Sequence, residues 1–263
     1  MSFETIEFSI NNGVAVLTLN RPDNLNSFNT QMHEEVRQAI TQVRTGGEAR
    51  CLLITANGRG FCAGQDLGDR SVSADGQMPD LGDSVEKNYN PLIRSIHNLD
   101  MPVVCAVNGV AAGAGASIAL ACDIVLAAKS ASFIQAFCKI GLIPDSGGTW
   151  ALPRLVGLAR AKGLALLGDK LSAEQAEKWG LIWECVEDAE LMEKANALAT
   201  HFASQPTKGL AMTKRALRES TSNSLHEQLE LEKEYMRIGG RTEDYKEGVA
   251  AFKEKRKPEF KGR

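Results

Sequence analysis

Apolar and polar residues alternate near the start of the chain, over Ile6 to Ile10 and Val14 to Leu19, as they do in half-buried strands. The intervening Asn11-Asn12-Gly13 is a turn sequence, so the two segments predict a β-hairpin. From about Gln31 to Arg44 the apolar positions follow helical spacing. The segment Arg50 to Thr55, whose four central residues are apolar, then indicates a buried strand.

The densest apolar pattern lies in a central stretch, Val103 to Trp150. It begins with β-branched residues over Val103 to Val107, passes through a cluster of Gly and Ala, and continues as an Ala- and Leu-rich segment over Gly115 to Cys122. A second apolar run, Ile124 to Ala128, follows. This order predicts a strand, a small-residue turn, a buried helix and another strand.

Strand patterns end with Ile182 to Val186, and helical patterns continue beyond it. We predict helices over Ser84 to Leu99, Leu155 to Leu167 and Ser172 to Trp179, and then near 188–204, 208–220, 224–238 and 242–255. This shift predicts an α/β body, residues 1–190, and a helical C-terminal region, residues 191–263. Five apolar positions in this region are expected to pack against the body or a neighbouring subunit: Leu225, Leu229, Leu231, Met236 and Ile238.

Composition narrows the class of protein. The 263 residues are 43% hydrophobic and 24% charged, with a net charge of -3, which is typical of a globular protein and gives no nucleic-acid-binding surface. We expect no signal peptide, because the first residues lack a basic segment followed by an apolar core. No segment approaches the roughly 20 apolar residues of a membrane span. The six cysteines are irregularly spaced, so we expect reduced thiols and a cytoplasmic protein.

Several catalytic classes lack their motifs. The chain has no P-loop and no Gly-x-Ser-x-Gly elbow, and the third glycine of a dinucleotide fingerprint is replaced by Ile118. The four histidines, His33, His97, His201 and His226, are scattered, and none has a partner at metal-ligand spacing. We therefore expect no metal site.

Two small residues and one carboxylate remain as candidates. Ala63 and Ala114 each stand beside a glycine after a strand-like run, so their peptide N–H groups either hold a ligand oxyanion or serve tight packing. Asp145 either caps a turn or helix, or acts as a proton carrier in an apolar pocket that would raise its pKa. The residues expected to line that pocket are Phe137, Leu142, Ile143 and Trp150.

Three motifs together resemble the crotonase (enoyl-CoA hydratase/isomerase) superfamily in order and spacing. They are Arg59-Gly-Phe-Cys-Ala-Gly-Gln-Asp-Leu67, Ala106-Val-Asn-Gly-Val-Ala-Ala-Gly-Ala-Gly115 and Gly141-Leu-Ile-Pro-Asp-Ser-Gly-Gly-Thr149. The resemblance implies an α/β fold built as a spiral of ββα repeats, followed by a helical trimerisation region. It also implies a homotrimer or a dimer of trimers, and an acyl-CoA thioester substrate. No further cofactor is expected, since coenzyme A is part of the substrate.

The resemblance assigns roles to particular residues. The thioester oxygen would be held by the N–H groups of Ala63 and Ala114, with Asp145 as the catalytic carboxylate. The residues expected along the substrate and its CoA moiety are Arg21, Ala63, Gly64, Gln65, Asp66, Leu67, Gly113, Phe137 and Trp150. The basic tail, Lys253 to Arg263, is either solvated or in contact with the CoA phosphates of a neighbouring subunit. The loop from Asp69 to Asp83 is expected to cover the acyl pocket.

Departures from the family pattern favour isomerisation. Hydratases of the family use two glutamates to activate water, and the corresponding positions here are Ser117 and Phe137. Neither side chain is a carboxylate base, so we expect weak or absent hydratase activity. A single carboxylate at Asp145 suffices to remove a proton beside the thioester system and return it elsewhere.

Within the superfamily, the motifs are most similar to isomerases that convert the ring epoxide of an aromatic acyl-CoA to a seven-membered oxepin and shift double bonds. One alternative is a straight-chain Δ3-Δ2-enoyl-CoA isomerase. In a second, Asp145 is a nucleophile. The third is a non-catalytic subunit that binds CoA esters.

Overall fold

A computed structural model describes residues 3–69 and 80–263. Its strands are β1 (Ile6–Asn11), β2 (Val14–Leu19), β3 (Cys51–Ala56), β4 (Gly60–Cys62), β5 (Val103–Val107), β6 (Val110–Ala112), β7 (Ile124–Ala128), β8 (Ser132–Ile134), β9 (Lys170–Ser172) and β10 (Glu184–Val186). Its helices are α1 (Thr30–Gly46), α2 (Leu81–Ser84), α3 (Asn90–His97), α4 (Ala114–Leu120), α5 (Gly148–Leu167), α6 (Ala173–Trp179), α7 (Leu191–Ala203), α8 (Thr207–Glu219), α9 (Leu225–Gly239) and α10 (Glu243–Glu254). One π-helical turn, Val85–Tyr89, joins α2 to α3.

Six strands form the larger sheet, in the order β1-β2-β3-β5-β7-β10. The predicted hairpin is confirmed as the antiparallel pair β1–β2, and the other neighbours pair in parallel. Every residue of β3 and β5 is buried, as expected for strands covered on both faces. These two strands form the centre of the core.

Four short strands form a second sheet, in the order β4-β6-β8-β9. Successive strands alternate between the sheets: β3 is followed by β4, β5 by β6, and β7 by β8. This alternation is the spiral of ββα repeats that the resemblance implied. The prediction of a plain turn between β5 and α4 was incomplete, because Val110–Ala112 pairs with both β4 and β8.

The predicted first helix is confirmed as α1, and the Asn29 side chain caps it by accepting from the Met32 N–H at 2.9 Å. The predicted helix over Leu155 to Leu167 is part of the longer α5, which begins at Gly148 and is interrupted by non-helical backbone at Gly157. Ser172 caps α6 as expected, accepting from the Gln175 N–H at 3.2 Å.

The four predicted C-terminal helices are confirmed as α7 to α10. Helix α7 packs against the larger sheet through Leu191, Ala195, Ala199 and Ala203, so this helix belongs to the core. Helix α9 has no buried residue among those described, and Leu225 and Met236 are 77% and 76% exposed. The expected packing of α9 against the body is therefore not seen, and its role in oligomerisation remains a prediction.

The loop expected over Asp69 to Asp83 lies mostly outside the described residues. Helix α2 begins inside the range predicted as loop, with Asp80 as its cap. In the part of the chain that the structure describes, no helix is both long enough and apolar enough to cross a bilayer.

Candidate active site

Two of the sequence motifs meet main chain against main chain. Gly64 has a φ of +90°, and a β-carbon built on it would lie 3.1 Å from the Ala112 oxygen and 3.3 Å from the Ala114 nitrogen. A β-carbon on Gly115 would lie 2.3 Å from the Cys62 oxygen. Only glycine allows this approach, because any side chain would separate the two turns. The β4 end and the start of α4 therefore form one small cradle.

The N–H of Ala63 is not directed into this cradle. It donates to the Leu25 oxygen at 2.9 Å, so it is already engaged in the loop after β2. This contact argues against the expected role of Ala63 as an oxyanion donor, since using that N–H would break the existing bond. The next N–H, that of Gly64, makes a 3.4 Å contact with the Cys62 sulfur.

The N–H of Gln65 lies next along the same turn. The peptide that carries it is fixed at its other end, where the Gly64 oxygen accepts from the Phe28 N–H at 2.7 Å. Among residues 3–69 and 80–263, no acceptor receives the N–H of Gln65 or that of Ala114. Two N–H groups on adjoining turns are thus available to a ligand oxygen.

Gly113 and Phe137 form one wall beside Ala114. Gly113 has a φ of +54°, and a β-carbon on it would come 3.8 Å from the Phe137 ring. The ring is buried, so the wall is apolar. A dry wall strengthens hydrogen bonds made by a nearby peptide N–H.

Arg21 and Asp66 form a salt bridge beneath the Gln65 turn. Arg21 Nη2 lies 2.9 Å from Asp66 Oδ2, and Arg21 Nη1 donates to the Ser27 oxygen at 2.5 Å. The side chains are 16% and 19% exposed, so both charged groups face protein. In this arrangement the salt bridge stabilises the turn. Leu67, which follows Asp66 in the chain, is 62% exposed.

Asp145 lies half-buried in the turn before α5. Its Oδ1 accepts from the Ser146 hydroxyl at 2.9 Å, and its main-chain oxygen accepts from the Gly148 N–H at 2.8 Å. A β-carbon on Gly148 would lie 2.9 Å from Ser117 Oγ. Because Ser117 follows Ala114 by one helical turn, the Asp145 segment adjoins the helix that begins the cradle.

The expected apolar pocket around Asp145 is only partly formed by this chain. Phe137 is buried, but Ile143 is 78% exposed and Trp150 is 43% exposed. Trp150 is instead held from the outside, with the His97 ring edge-on at 5.4 Å and the Arg154 guanidinium 4.2 Å above it. The expected pocket is therefore wrong for Ile143, which points to solvent.

His97 connects this segment to α8. Its Nδ1 lies 3.1 Å from Arg218 Nη1, and its main-chain oxygen accepts from the same group. Burial, together with the positive charges of Arg218 and Lys214, lowers the pKa of His97 to about 4. The imidazole is therefore neutral at pH 7 and accepts from the guanidinium.

Cys62 lies under the cradle without being a nucleophile. Burial raises the pKa of its thiol to about 12, and the N–H of Gly64 offsets this only in part. The thiolate, which is the reactive form, is absent near neutral pH.

The basic tail is tied to the body of the same chain. Asp244 accepts from the N–H groups of Lys261 and Gly262 at 2.6 and 2.8 Å, and Arg50 Nη1 donates to the Phe260 oxygen at 2.9 Å. These bonds use the main chain, so the lysine side chains remain at the surface.

The sequence did not reveal the roles of three residues in this region. The Gln65 N–H was overlooked in favour of its neighbour two positions earlier. Tyr89 begins the segment Tyr89-Asn-Pro-Leu92, which also resembles the isomerases, but the sequence did not reveal that its hydroxyl donates to Gln65 Oε1 at 3.0 Å. Asn26 is fully buried, and its amide donates to the oxygens of Asn57 and Gly60, both at 2.9 Å. For Asn26, the signal in the sequence would have been a polar residue at a position predicted to lie inside a well-ordered loop.

Several known proteins are similar to this chain. The chain is 56% identical over 260 residues to 1,2-epoxyphenylacetyl-CoA isomerase of Escherichia coli K12, covering 99% of both chains. It is 48% identical over 263 residues to a Rhodobacter capsulatus protein named "Probable enoyl-CoA hydratase", covering 100% of both.

A crystal structure of enoyl-CoA hydratase from Bacillus anthracis matches with a TM-score of 0.92 and 34% identity, over 99% of this chain and 100% of that one. The family model described as enoyl-CoA hydratase/isomerase matches residues 9–263. The chain therefore belongs to the enoyl-CoA hydratase/isomerase family, within the crotonase superfamily.

Proposed function

We propose that the protein is an isomerase of CoA thioesters that converts ring 1,2-epoxyphenylacetyl-CoA to the oxepin-CoA and shifts double bonds in unsaturated acyl-CoA. The Escherichia coli relative of that name, 56% identical over nearly the whole chain, supports the substrate class. The observation that carries the reaction type is the pairing of two available N–H groups with one carboxylate, at a site where Ser117 and Phe137 offer no second base.

The N–H groups of Gln65 and Ala114 hold the thioester oxygen. Removal of a proton beside the thioester places negative charge on that oxygen, and two preorganised donors stabilise it. This assignment replaces Ala63 with Gln65, because the Ala63 N–H is engaged with Leu25. Removing one such donor typically costs about 10²–10³-fold in rate.

Asp145 carries the proton. Its carboxylate takes a proton from one carbon of the acyl group and returns it to another, so the product has the same composition as the substrate. With the ring epoxide, the carbon–carbon bond between the two epoxide carbons also breaks as the double bonds shift, which expands the six-membered ring to the seven-membered oxepin. The Ser146 hydroxyl, 2.9 Å from Oδ1, orients the carboxylate.

Replacing Asp145 tests the mechanism. Asp145→Asn keeps the shape and removes the base, so we expect isomerisation to fall by about 10²–10⁴-fold. Turnover is followed with the aromatic ring epoxide and with a 3-enoyl-CoA ester, and CoA-ester binding is measured by calorimetry. Asp169→Asn, at an exposed site after α5, is the matched control and keeps full activity.

Three results would count against the proposal. Full activity in Asp145→Asn would exclude this proton carrier. Binding of CoA esters by the natural protein, without isomerisation or solvent deuterium uptake, would identify a binding subunit. Turnover of the 3-enoyl ester with no reaction of the ring epoxide would identify a straight-chain isomerase.

Hydration is the second candidate, because the Rhodobacter capsulatus relative carries a hydratase name at 48% identity. Ser117 is 2% exposed beside Gly148, and Phe137 lies against Gly113, so neither position supplies a carboxylate to activate water. We therefore expect crotonyl-CoA hydration to be at least 10²-fold slower than isomerisation, by the size of a general-base contribution.

The assembly that best fits the surface is a homotrimer or a dimer of trimers. Helix α9 leaves Leu225, Leu229 and Met236 exposed along one face, and an apolar row of this kind is typical of a subunit contact. Light scattering on a size-exclusion column gives the mass directly, and a monomer at micromolar concentration would exclude the assembly.

A further inference from the structure

Tyr89 makes a contact that the mechanism above does not use. It is fully buried, and its hydroxyl donates to Gln65 Oε1 at 3.0 Å. The other end of the same amide, Gln65 Nε2, donates to the Asp66 oxygen at 3.2 Å. The amide of Gln65 is thus held at both ends, and its own main-chain N–H is one of the two that are available to the substrate.

The placement of Tyr89 follows from Pro91. Proline has no N–H, so the carbonyl of Lys87 lacks its α-helical donor and accepts instead from Arg37 Nη2 at 3.1 Å. The N–H of Asn90 bonds to the Val85 oxygen, which widens the helix into a π turn that ends at Tyr89. Single π turns of this kind redirect one side chain, and they are frequent at functional sites.

An aromatic cluster then holds the ring of Tyr89 close to Phe28, whose main chain contacts the Gln65 turn. The ring of His33 lies edge-on to Tyr89 at 4.6 Å and 4.8 Å from the ring of Phe28. The main chain of Phe28 donates to the Gly64 oxygen and accepts from the Asp66 N–H at 2.9 Å. The Gln65 peptide is therefore held from its main chain by Phe28 and from its side chain by Tyr89.

We propose that Tyr89 is a positioning residue that aims the Gln65 N–H at the thioester oxygen through its hydrogen bond to the Gln65 side chain. The inference rests on the proposed oxyanion role of Gln65. It adds that the donor angle is set by α3 and the π turn that precedes it, on an element separate from the Gln65 turn. The contact acts mainly in the transition state, because the charge on the thioester oxygen is largest there.

Tyr89→Phe removes the hydroxyl and keeps the ring that packs on His33. We expect kcat to fall roughly 5- to 10-fold, the size of one neutral hydrogen bond, with KM changed less than about twofold. Tyr245→Phe, in α10 and 56% exposed, is the matched control and should behave as the natural protein. An unchanged kcat in Tyr89→Phe would overturn the inference.

Infrared spectroscopy of a bound, unreactive CoA thioester with a ¹³C-labelled carbonyl provides a readout that packing alone would not move. Donors at the oxygen lower the carbonyl frequency in the natural protein, and Tyr89→Phe should return part of that shift. A lowered kcat with an unchanged carbonyl frequency would mean that Tyr89 acts elsewhere. No shift even in the natural protein would remove the oxyanion pair and this inference together, while the Asp145 test would still stand.

A double-mutant cycle localises the effect. Gln65→Met removes the acceptor of the Tyr89 hydroxyl and keeps the main-chain N–H. If Tyr89 acts through that side chain, adding Tyr89→Phe to Gln65→Met lowers kcat no further. Additive losses would overturn the inference. Should Tyr89→Phe fold poorly, Gln65→Met alone must reproduce the frequency change, and its absence would be equally decisive.

Discussion

The two sides of the candidate site are built in opposite ways. On the donor side, the Gln65 peptide is held by Phe28, the turn is braced by a mostly buried salt bridge, and Gly64 touches the start of α4. On the acid side, Asp145 is half-buried in a turn whose neighbours Ile143 and Trp150 are largely exposed. The donor side is enclosed by the core of the chain, whereas the acid side is open to solvent.

This difference matches the two chemical tasks. Donors stabilise charge best when they are fixed before the reaction, since no reorganisation is then needed. A base that moves a proton between carbons must reach more than one position, and an open turn permits that. The donor side should therefore be sensitive to small steric changes. The acid side should be sensitive to changes in charge or in the solvent exposure of the Asp145 turn.

Among the substitutions that test this difference between the two sides, Gly115→Ala should have the largest effect on stability and activity. The new methyl group would lie 2.3 Å from the Cys62 oxygen and 2.7 Å from the Cys62 β-carbon, and neither atom belongs to a flexible side-chain end. We expect a loss of about 3 kcal/mol in the free energy of unfolding, at the upper end of overpacking costs. Isomerase activity should be lost as the two turns separate. Denaturant titration measures the stability.

Gly163→Ala in α5 is the matched control. Nothing lies within 4 Å of its added carbon, so the variant should gain up to about 1 kcal/mol from helix propensity. Equal stability of the two variants would show that the contact of Gly115 with Cys62 adapts to an added methyl group and that the donor side is not rigid.

A smaller effect is expected when the brace under the Gln65 turn is removed. Arg21→Met leaves Asp66 without its cation in a mostly buried site, and we expect a loss on the order of 2 kcal/mol, less than for a fully buried pair. The turnover number should fall as the Gln65 turn loosens. Thermal unfolding and steady-state kinetics measure the two effects.

Arg94→Met provides the comparison. Its partner is Glu86, and the two side chains are 63% and 62% exposed, so its removal should leave the free energy of unfolding nearly unchanged. A loss for Arg21→Met no greater than this would mean that the donor side is not braced.

The smallest effect concerns the acid side and depends on pH. The pKa of His97 is about 4 in the folded chain, against an ordinary value of 6.5, so the unfolded chain binds the extra proton between these values. Stability contributed by neutral His97 is therefore full above pH 6.5 and is lost as the pH falls towards 4. Between pH 7 and pH 5, the melting temperature of the His97→Gln variant should fall less than that of the natural protein.

The exposed His226 serves as control, and His226→Gln should keep the acid sensitivity of the natural protein. Identical pH profiles for the natural protein and His97→Gln would show that this imidazole is not held neutral against Arg218.

Long periodic segments made most of the fold predictable. The hairpin, α1, β3, β5 and the four C-terminal helices each carry an apolar pattern several residues long, and all were found as expected. The small sheet was not predicted, since β4, β6, β8 and β9 have three residues each and β6 reads Val-Ala-Ala. A period cannot be recognised over so short a run.

The direction of individual N–H groups was beyond the sequence. The Ala63 N–H is engaged because Leu25 and Asn26 adopt left-handed backbone, with φ of 49° and 53°, and no glycine marks that turn. Contacts such as Tyr89 with Gln65 join residues 24 positions apart on different elements. Such pairings depend on tertiary packing, which local patterns do not encode.

The proposed oxyanion donors are main-chain groups, and this limits which substitutions can remove them. A point mutation can replace any side chain in the cradle, but only proline at Gln65 or Ala114 would delete the N–H itself. The carboxylates have no such protection, as Ser117 and Phe137 illustrate. A single substitution can therefore remove or introduce a carboxylate in this site, whereas the N–H groups of Gln65 and Ala114 survive any substitution at their own positions except proline.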